Sequence, residues 1–433
     1  MGTMIQFDDS GRRVRPRQPA PVALGSSVKR YAAVFGPGLV VMLADTDVGS
    51  IITAGQSGAQ WGYRLLLLQL LLVPILYVVQ EMTVRLGIFT GRGHGELIRD
   101  SFGGFWAWVS AAGLTVAVMG ALVTELSGVA GVGELYGLPR AVSLALAVLL
   151  LLGVVLTGSY RRVERIAIAL GLFELAFFAV AWWAGPSPGA VVANAFDIPW
   201  ADKDYAYLAA ANIGAVIMPW MVFYQQSAIA EKRLGPEHLR AARVDTAAGA
   251  FITQLVMAAV LVAAAATIGQ ARGTGDGPGL QTVGDLANAL VPFLGQGAGK
   301  LVFSLGILGA AMVAAIVVTL ALAWGVGEVA GYKRSLELRP WDAKWFYGIY
   351  CAGVVGCALL VLLWPNLVAL NVGVQILNAL LLPLVLGFLV ALARFALPAE
   401  ARLQGPYYAV VVVLVSVTTV LGVFGALSGA GLF

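Results

Sequence analysis

Residues 43–50, LADTDVGS, place two carboxylates and a glycine inside the apolar stretch from Tyr31 to Ile52. The composition around them indicates a membrane protein: of 433 residues, 60% are hydrophobic and 12% charged, and the mean hydropathy is +0.86. An ordinary soluble domain has about 25% charged residues. A carboxylate at the middle of a transmembrane helix costs roughly 2.5–3.5 kcal/mol on insertion scales. Asp45 and Asp47 therefore need a bound ion, a partner or a break in their helix.

Apolar stretches of about 20 residues, long enough to cross a hydrocarbon core about 30 Å thick, recur along most of the chain. We predict that all of them are helices, because lone strands leave their backbone unpaired in lipid and the alternating pattern of a barrel is absent. The predicted spans are 31–58, 63–88, 105–131, 141–158, 164–184, 206–230, 244–269, 298–329, 343–364, 369–394 and 407–427.

The distribution of Lys and Arg predicts the orientation. Residues 1–29 are polar, rich in Arg and Pro and without an apolar core of a signal peptide, so they are predicted to form a disordered cytoplasmic tail. With this tail inside, 22 of the 27 Lys and Arg residues lie on the cytoplasmic side. This bias predicts a multi-pass protein of the cell (inner or plasma) membrane with a cytoplasmic N-terminus. The net charge of +4 then reflects topology, and no nucleic-acid partner is expected.

The first span is predicted to be interrupted near its aspartates. On a continuous helix, residues two apart point in different directions, so Asp45 and Asp47 would not face one ligand. Gly49 tolerates unusual backbone angles and is predicted as the helix-break residue. Thr46 and Ser50 supply hydroxyls for freed backbone groups. An unwound segment would turn a carboxylate and several carbonyl oxygens inward, whereas the simpler alternative is an aspartate held in a static hydrogen-bond network.

The sixth span, AANIGAVIMPWMVFYQQSA at 210–228, carries a matching interruption. Pro219 lacks an amide donor and frees the carbonyl of Ala215 four residues earlier. If the fold is an inverted repeat of five plus five helices, the first helix of each half breaks at a corresponding depth, which is typical of a midplane binding site. Met218 adds a thioether, although a lone Met in such a helix is usually core filler.

These groups together predict a site for a divalent metal. Carboxylate and carbonyl oxygens suit hard or borderline cations, and a thioether favours transition metals. A site formed by Asp47, Met218 and the carbonyls of Ala44 and Ala215 would therefore prefer Mn²⁺ or Fe²⁺ over Ca²⁺.

Three stretches resemble one known family. FGPGLVVMLADTDVGSIITAGQSGAQWGY at 35–63 resembles the first helix of the natural resistance-associated macrophage protein (NRAMP) family of divalent-metal transporters. IMPWMVFYQQSA at 217–228 resembles its sixth-helix Met-Pro-His motif, and the similarity continues through LGIFTGRGHGELIRDSFG at 86–103. The resemblance implies an all-α leucine-transporter-type fold, a 5+5 inverted repeat with an eleventh helix, in which helices 1 and 6 are unwound at the midplane.

The same resemblance implies the domain organisation and the site residues. The first repeat would comprise 30–184, an extracytoplasmic loop 185–205, the second repeat 206–394, and the eleventh helix and C-terminus 395–433. The implied metal-binding groups are the Asp47 carboxylate, the Met218 thioether and the backbone carbonyls of Ala44 and Ala215, and Gly49 takes the position of the family's glycine. Ser50, at the position of a coordinating family asparagine, is the remaining candidate ligand.

This chain departs from the family pattern at several positions. Val48 replaces a proline, and Ser50 replaces an asparagine, so an amide oxygen becomes a hydroxyl, a shorter and weaker ligand. Trp220 stands where the family has a protonatable histidine, and tryptophan does not titrate. Metal selectivity and proton coupling are therefore left open by the sequence.

Other polar residues near the predicted site have more than one interpretation. Asp45 is an additional carboxylate that would assist metal binding, attract cations or accept protons. Glu125 matches a family glutamate on the proton route and serves equally well as a structural partner. In span 10, Gln375 and Asn378 are accessory candidates, with interhelical hydrogen bonding favoured for Asn378. Glu174 is a further intramembrane carboxylate with no identified partner.

Three other functions are compatible with parts of this sequence. A Mg²⁺ carrier of the same family fits the oxygen ligands. A sodium-coupled amino-acid carrier would need no anionic carboxylate facing its substrate, and an Asp-rich membrane enzyme would need two carboxylate clusters. We therefore predict a transporter and not an enzyme, with no cofactor, with divalent metal and the lipid bilayer as partners, and with the oligomeric state open. His94 and His238 are predicted to lie in solvated cytoplasmic loops.

Overall fold

The computed structural model describes residues 6–7, 13–14, 34–199, 201–269, 280, 283–295, 297–363 and 368–429. Within these ranges regular structure is helical, apart from a two-residue antiparallel ladder between Gln6–Phe7 and Arg13–Val14. That ladder lies in the segment predicted to be a disordered tail, most of which is outside the described residues.

The helices of the first half occupy the described residues up to 195. Their bounds are α1 Pro37–Asp45, α2 Val48–Trp61, α3 Leu66–Thr90, α4 His94–Phe102, α5 Gly104–Leu135, α6 Arg140–Val155, α7 Tyr160–Gly171, a 3-10 segment Leu172–Leu175, α8 Ala176–Trp183 and α9 Pro188–Ala195.

The second half continues in the same all-helical manner. Its elements are α10 Lys203–Val216, α11 Pro219–Lys232, a 3-10 turn Pro236–His238, α12 Leu239–Ala264, a π segment Ala265–Gly269, α13 Val283–Leu294, α14 Ala298–Ala330, α15 Lys344–Leu363, α16 Val368–Phe395 and α17 Gly405–Gly429.

The helices agree with the predicted spans. In the described part of the chain, 9 helices are long and apolar enough to cross a membrane, or up to 10 when the bent pair α1–α2 counts as one span. The predicted fourth span corresponds to α6, a shorter apolar helix of 16 residues. Outward-facing Leu146, Trp182 and Val420 are exposed, as expected for side chains that contact lipid.

The first span is broken two residues before the predicted position. α1 ends at Asp45, α2 begins at Val48, and their axes differ by 49°. The prediction of Gly49 as the break residue is wrong, because Gly49 is the second residue of α2. The helix is interrupted at Thr46 and Asp47, since the Asp47 side chain caps the new helix.

The sixth span is interrupted where its sequence predicts. α10 ends at Val216, Ile217 and Met218 are extended, and Pro219 is the first residue of α11. Proline is favoured at this position because the first amide of a helix has no intrahelical acceptor. Both interrupted spans lie in the interior: α12 packs along α1, α2 and α3, and the long helices α5 and α14 pack against each other.

The N-terminus of α1 is held by a distant carboxylate. Asp245 of α12 accepts hydrogen bonds from the backbone amides of Gly36 (3.2 Å), Gly38 (2.8 Å) and Leu39 (3.2 Å). These amides are the unpaired donors of a helix N-terminus, and a carboxylate also interacts favourably with the helix dipole. This contact therefore seals α1 against α12 at the predicted cytoplasmic end.

A buried ion pair reinforces the same end of the bundle. Lys232 Nζ lies 2.8 Å from Glu164 Oε1 and donates to the carbonyl oxygen of Phe35 at 2.9 Å. The last residue of α11, the first turns of α7 and the chain entering α1 are thus tied together. No sequence motif pairs Lys232 with Glu164, although Asp245 lies at the start of a predicted span, where a carboxylate is unusual.

We expect Asp245→Ala to lower thermal stability because it leaves three buried amides without an acceptor. The loss of such a buried acceptor costs about 1–3 kcal/mol. Thermal unfolding of the detergent-solubilised protein, followed by intrinsic fluorescence, measures the effect. Asp342→Ala, a change at an exposed aspartate, is the control. Equal melting temperatures for the two variants would show that the cap contributes nothing.

Candidate metal-binding site

Asp47 lies at the N-terminus of α2, inside the helix bundle. Its backbone is extended (φ −73°, ψ 168°), and its carboxylate accepts the amide of Ser50 at 2.6 Å. The residue is 1% exposed. A helix N-terminus presents free amides and a positive partial charge, so it stabilises a carboxylate that lipid would penalise.

The break also releases the carbonyl of Ala44. In a continuous helix this oxygen would accept the amide of Val48, four residues later. Val48 N instead donates to Glu125 Oε2 of α5 at 3.2 Å. Glu125 is buried, and within the described residues its Oε1 has no hydrogen-bond partner. Glu125 therefore lies beside the break and replaces Ala44 as the acceptor for Val48.

Ser50 joins the two interrupted spans. Its hydroxyl donates to the carbonyl oxygen of Ala215 at 2.8 Å, the oxygen that Pro219 leaves without an amide donor. The predicted ligand groups Ser50 and Ala215 are therefore hydrogen-bonded to each other. Met218, predicted as the sulfur ligand, is 1% exposed and lies in the extended segment three residues after Ala215.

Span 10 completes the polar surroundings of the break. The side-chain amide of Gln375 packs directly against Gly49, where a Cβ atom would collide with it. Asn378 Nδ2 donates to Gln375 Oε1 at 3.0 Å, within the same helix. On the other face, Gly214 packs on the backbone of α16 at Gln375. The glycine predicted to break the helix thus allows close approach of an amide side chain.

In the described part of the chain, the side chains at the break do not form a cluster of carboxylates and histidines that could surround a metal ion. Among the described residues, no group of three or more His, Cys, Asp or Glu side chains is placed to hold a metal ion. Trp220 is buried at the position of the family histidine, and in the same part of the chain its Nε1 has no acceptor. The groups around Asp47 at the break are its capping carboxylate, backbone carbonyls, a thioether, and the polar side chains Glu125 and Gln375. Asp45, the last residue of α1, is a further buried carboxylate.

Polar side chains that the sequence did not single out also lie between the break and the predicted extracytoplasmic end of the bundle. Asn212 Nδ2 donates to Ser57 Oγ at 2.8 Å, and Gln69 Nε2 donates to Asn212 Oδ1 at 2.6 Å. All three residues are fully buried. The only sequence signal was their polarity within apolar spans.

Beyond this cluster a polar cavity of about 290 Å³ opens between α2 and α10, which we call the vestibule. Asp202 accepts the amides of Asp204 and Tyr205 and caps α10. The vestibule is lined by Gln56, Gln60, Trp61, Asp202, Asp204, Tyr207 and Leu208. Asp202 and Asp204 place two carboxylates at its wall, with Lys203 between them in the chain.

The prediction of a solvated His94 is wrong. His94 begins α4, is 0% exposed, and packs edge-on against Phe223 with ring centroids 5.0 Å apart. Its Nδ1 lies 3.0 Å from Gln226 Oε1. Burial lowers the pKa of His94 to about 4, although the bond to Gln226 acts in the opposite direction. The loop folds inward against α11, which loop composition does not reveal.

His238 lies in a short turn, in closer agreement than His94 with the loop position predicted for both residues. It is partly buried, and its Nδ1 accepts the amide of Gly235 at 3.1 Å in the 3-10 turn before α12.

An all-helical membrane bundle in which the first helix of each half is interrupted, with polar groups meeting at the breaks, is the architecture of membrane transporters with the leucine-transporter-type fold. Residues 38–428 match the family described as Nramp, natural resistance-associated macrophage protein-like. The chain belongs to this family. The match confirms the family predicted from the motifs and the prediction that the chain is not an enzyme.

Relatives and solved structures agree with this assignment. The chain is 30% identical over 335 residues to the "Divalent metal cation transporter MntH" of Brucella suis biovar 1, covering 73% of this chain and 70% of that protein. It is 28% identical over 330 residues to the protein of the same name from Agrobacterium fabrum, covering 73% and 69%.

Among solved structures, the manganese transporter of Eremococcus coleocola superimposes with a TM-score of 0.73 at 20% identity, covering 94% of this chain and 89% of that chain. MhsT in complex with L-phenylalanine gives a TM-score of 0.60 at 16% identity, covering 94% and 99%. At these identities the likeness shows the fold, which confirms the predicted fold class.

The buried environment of His94 predicts a neutral imidazole at mildly acidic pH. The unfolded chain takes up a proton near pH 6.5 and the folded chain only near pH 4. The stability that a neutral His94 contributes is therefore present above about pH 6.5 and lost as the pH falls towards 4.

The chain has two histidines, so ¹⁵N solid-state NMR of the His238→Gln protein observes His94 alone. We expect a neutral ring at pH 5.5, whereas an ordinary histidine is mostly protonated there. A protonated ring at that pH would contradict the buried position.

Proposed function

We propose that this chain moves divalent cations, with Mn²⁺ and Fe²⁺ favoured, across the cell membrane by alternating access. The proposal rests chiefly on one observation, the contact between Ser50 and Ala215 that brings the two interrupted helices together beside the Asp47 carboxylate. The names of the bacterial relatives, which are divalent metal cation transporters, support the substrate class.

The proposed ligands are the Asp47 carboxylate, the Met218 thioether and the carbonyl oxygens of Ala44 and Ala215. The Ala44 oxygen lacks its helical donor, because Val48 N bonds to Glu125. The Ala215 oxygen has a second lone pair besides the one that accepts Ser50. We propose that Ser50 positions this carbonyl and reaches the metal only when it exchanges that bond. The mixed oxygen and sulfur donor set favours Mn²⁺ and Fe²⁺ over Ca²⁺.

The two ends of the bundle support a route for the ion. The vestibule, with Asp202 and Asp204, would concentrate cations at the predicted extracytoplasmic end. At the other end, the Asp245 cap and the Lys232–Glu164 ion pair hold α1 closed. We propose that release toward the cytoplasm requires α1 to leave Asp245. The short helix α1 is suited to this motion, because the break at Thr46–Asp47 separates it from α2.

Mg²⁺ is the second candidate substrate. Glu125 and Gln375 add hard oxygens close to the break, and Mg²⁺ prefers oxygen ligands. The thioether of Met218 is the group that would discriminate against it. An amino-acid substrate is disfavoured, because Asp47 would repel the carboxylate of an amino acid.

We expect Asp47→Ala to reduce Mn²⁺ uptake into proteoliposomes to the level of protein-free vesicles, because it removes the single anionic ligand. Asp47→Asn keeps the cap to Ser50 but not the charge, so it should also fail to transport while remaining folded. Asp342→Ala, at an exposed site, should transport normally. Normal uptake by Asp47→Ala would place the metal elsewhere. The same vesicles with an imposed pH gradient test whether protons move with the metal.

Met218→Ala should change selectivity more than rate. With the sulfur removed, the remaining ligands are oxygens, so discrimination of Mn²⁺ against Mg²⁺ and Ca²⁺ should fall by about tenfold, a typical effect of altering a metal site. Competition of each ion with Mn²⁺ uptake measures this ratio. Met221→Ala is the matched control, since Met221 is equally buried three residues further along α11. Unchanged competition in Met218→Ala would remove the sulfur from the site.

A further inference from the structure

Two buried carboxylates beside the break have no hydrogen-bond partner. Asp45 ends α1 and is 1% exposed, and Glu174 lies in the 3-10 segment Leu172–Leu175 of the fifth span and is 0% exposed. Within the described residues, no hydrogen bond reaches either oxygen of either carboxylate, although the Thr46 side chain is a polar neighbour of Glu174. Asp45 belongs to the first span and Glu174 to the fifth, so only the packing of the helices makes them neighbours.

The other buried carboxylates of the described chain differ from this pair. Each of them accepts at least one hydrogen bond or forms an ion pair. They are Asp47, Glu81, Glu125, Glu164, Asp245 and Glu328.

The electrostatic surroundings of the pair are anionic. Asp45 and Asp47 are charged neighbours of Glu174, and its polar neighbour is Thr46. Asp47 is the charged neighbour of Asp45. A charge buried in a medium of low dielectric constant requires a counter-charge and donors. A protonated carboxyl group would lose its charge but would still present an O–H donor, and neither side chain makes a hydrogen bond within the described residues.

The backbone holds the pair in place. The fifth span changes from α-helix to 3-10 helix at Leu172, and such a change within a helix often marks a functional position. Directly before it, Gly171 packs against Leu43 of α1, and Leu170 lies against Gly309 of α14. Thr46 Oγ1 is 2.5 Å from Thr253 Oγ1 of α12, which positions the other side of the break.

We infer that Asp45 and Glu174 bind a second divalent cation, separate from the one proposed at Asp47. Two carboxylates carry the two negative charges that one divalent cation neutralises. The available donors are all oxygens, the carboxylates and the Thr46 hydroxyl, so the site takes a hard cation such as Mn²⁺ or Mg²⁺. This inference rests on the proposed function, because it places a second ion beside the transport site.

Mn²⁺ serves as the probe for counting sites. Purified protein in lipid nanodiscs is dialysed against saturating Mn²⁺, and bound metal per chain is measured by mass spectrometry. We expect two Mn²⁺ per chain in the wild type and one in Glu174→Gln, Asp45→Asn and Asp47→Ala. The two neutralising variants, on different spans, protect the result against the misfolding of either one.

Electron paramagnetic resonance adds a readout that a structural role would not change. Asp45 and Asp47 are two residues apart, so their Cα atoms lie within about 7 Å, and two Mn²⁺ ions at such a separation broaden each other's spectra. The wild type should show the broadened spectrum, and Glu174→Gln the sharp six-line spectrum of an isolated ion. Glu328→Gln is the matched control: Glu328 is equally buried, but it accepts Ser227 Oγ at 2.5 Å and Gly95 N at 2.8 Å. This variant should still bind two ions.

The outcomes separate the two proposals. One Mn²⁺ in the wild type that disappears in Asp47→Ala and remains in Glu174→Gln would overturn the second site and leave the proposed transport site intact. One Mn²⁺ that remains in Asp47→Ala would overturn the proposed transport site. If Glu328→Gln also loses an ion, then neutralising any buried carboxylate lowers the number of Mn²⁺ bound per chain. That result would also overturn the second site.

Discussion

The structure depends on placing a carboxylate inside a bundle that lipid surrounds. Asp47 is stabilised there because the first span stops at Asp45 and a new helix starts at Val48, which brings the amide of Ser50 to the Asp47 oxygen at 2.6 Å. The same break frees the carbonyl of Ala44 and turns Val48 N toward Glu125. A continuous helix would satisfy its own backbone and would offer no ligand atoms, so the break creates the site.

The second half of the chain contributes through one hydrogen bond. Ser50 Oγ donates to the oxygen that Pro219 leaves free on Ala215, and this bond aligns the two breaks. α1 itself is held at its N-terminus by Asp245, and at its C-terminal end the Thr46 hydroxyl lies 2.5 Å from the Thr253 hydroxyl of α12. The contact at Asp245 is made of hydrogen bonds from backbone amides, which water can replace when that end opens. In the proposed mechanism, α1 therefore separates from Asp245 at its N-terminus and turns about the break at Thr46–Asp47.

Much of the fold and part of the site were predictable. Hydropathy alone located the spans, and Pro219 located the second break, because a proline ring leaves few alternatives in a helix. The first break was assigned to Gly49, two residues too late, since an N-capping Asp and a permissive Gly are both common near helix ends. Glycine here serves the packing of Gln375. His94 was placed in solvent because its loop is polar, whereas α4 folds back against Phe223 and Gln226.

The sequence by itself determined that this is a helical membrane protein, that a carboxylate and a thioether lie in interrupted helices, and which family the chain belongs to. These features are local or compositional: apolar length, proline and the spacing of motif residues. Only the tertiary structure decided which groups meet. These are Ser50 with Ala215, Val48 with Glu125, Asp245 with the start of α1, and Glu174 with Asp45, neither of which makes a side-chain hydrogen bond within the described residues. Those contacts join residues up to 209 positions apart, and their partners depend on how the helices pack, which the order of residues within any one helix does not specify.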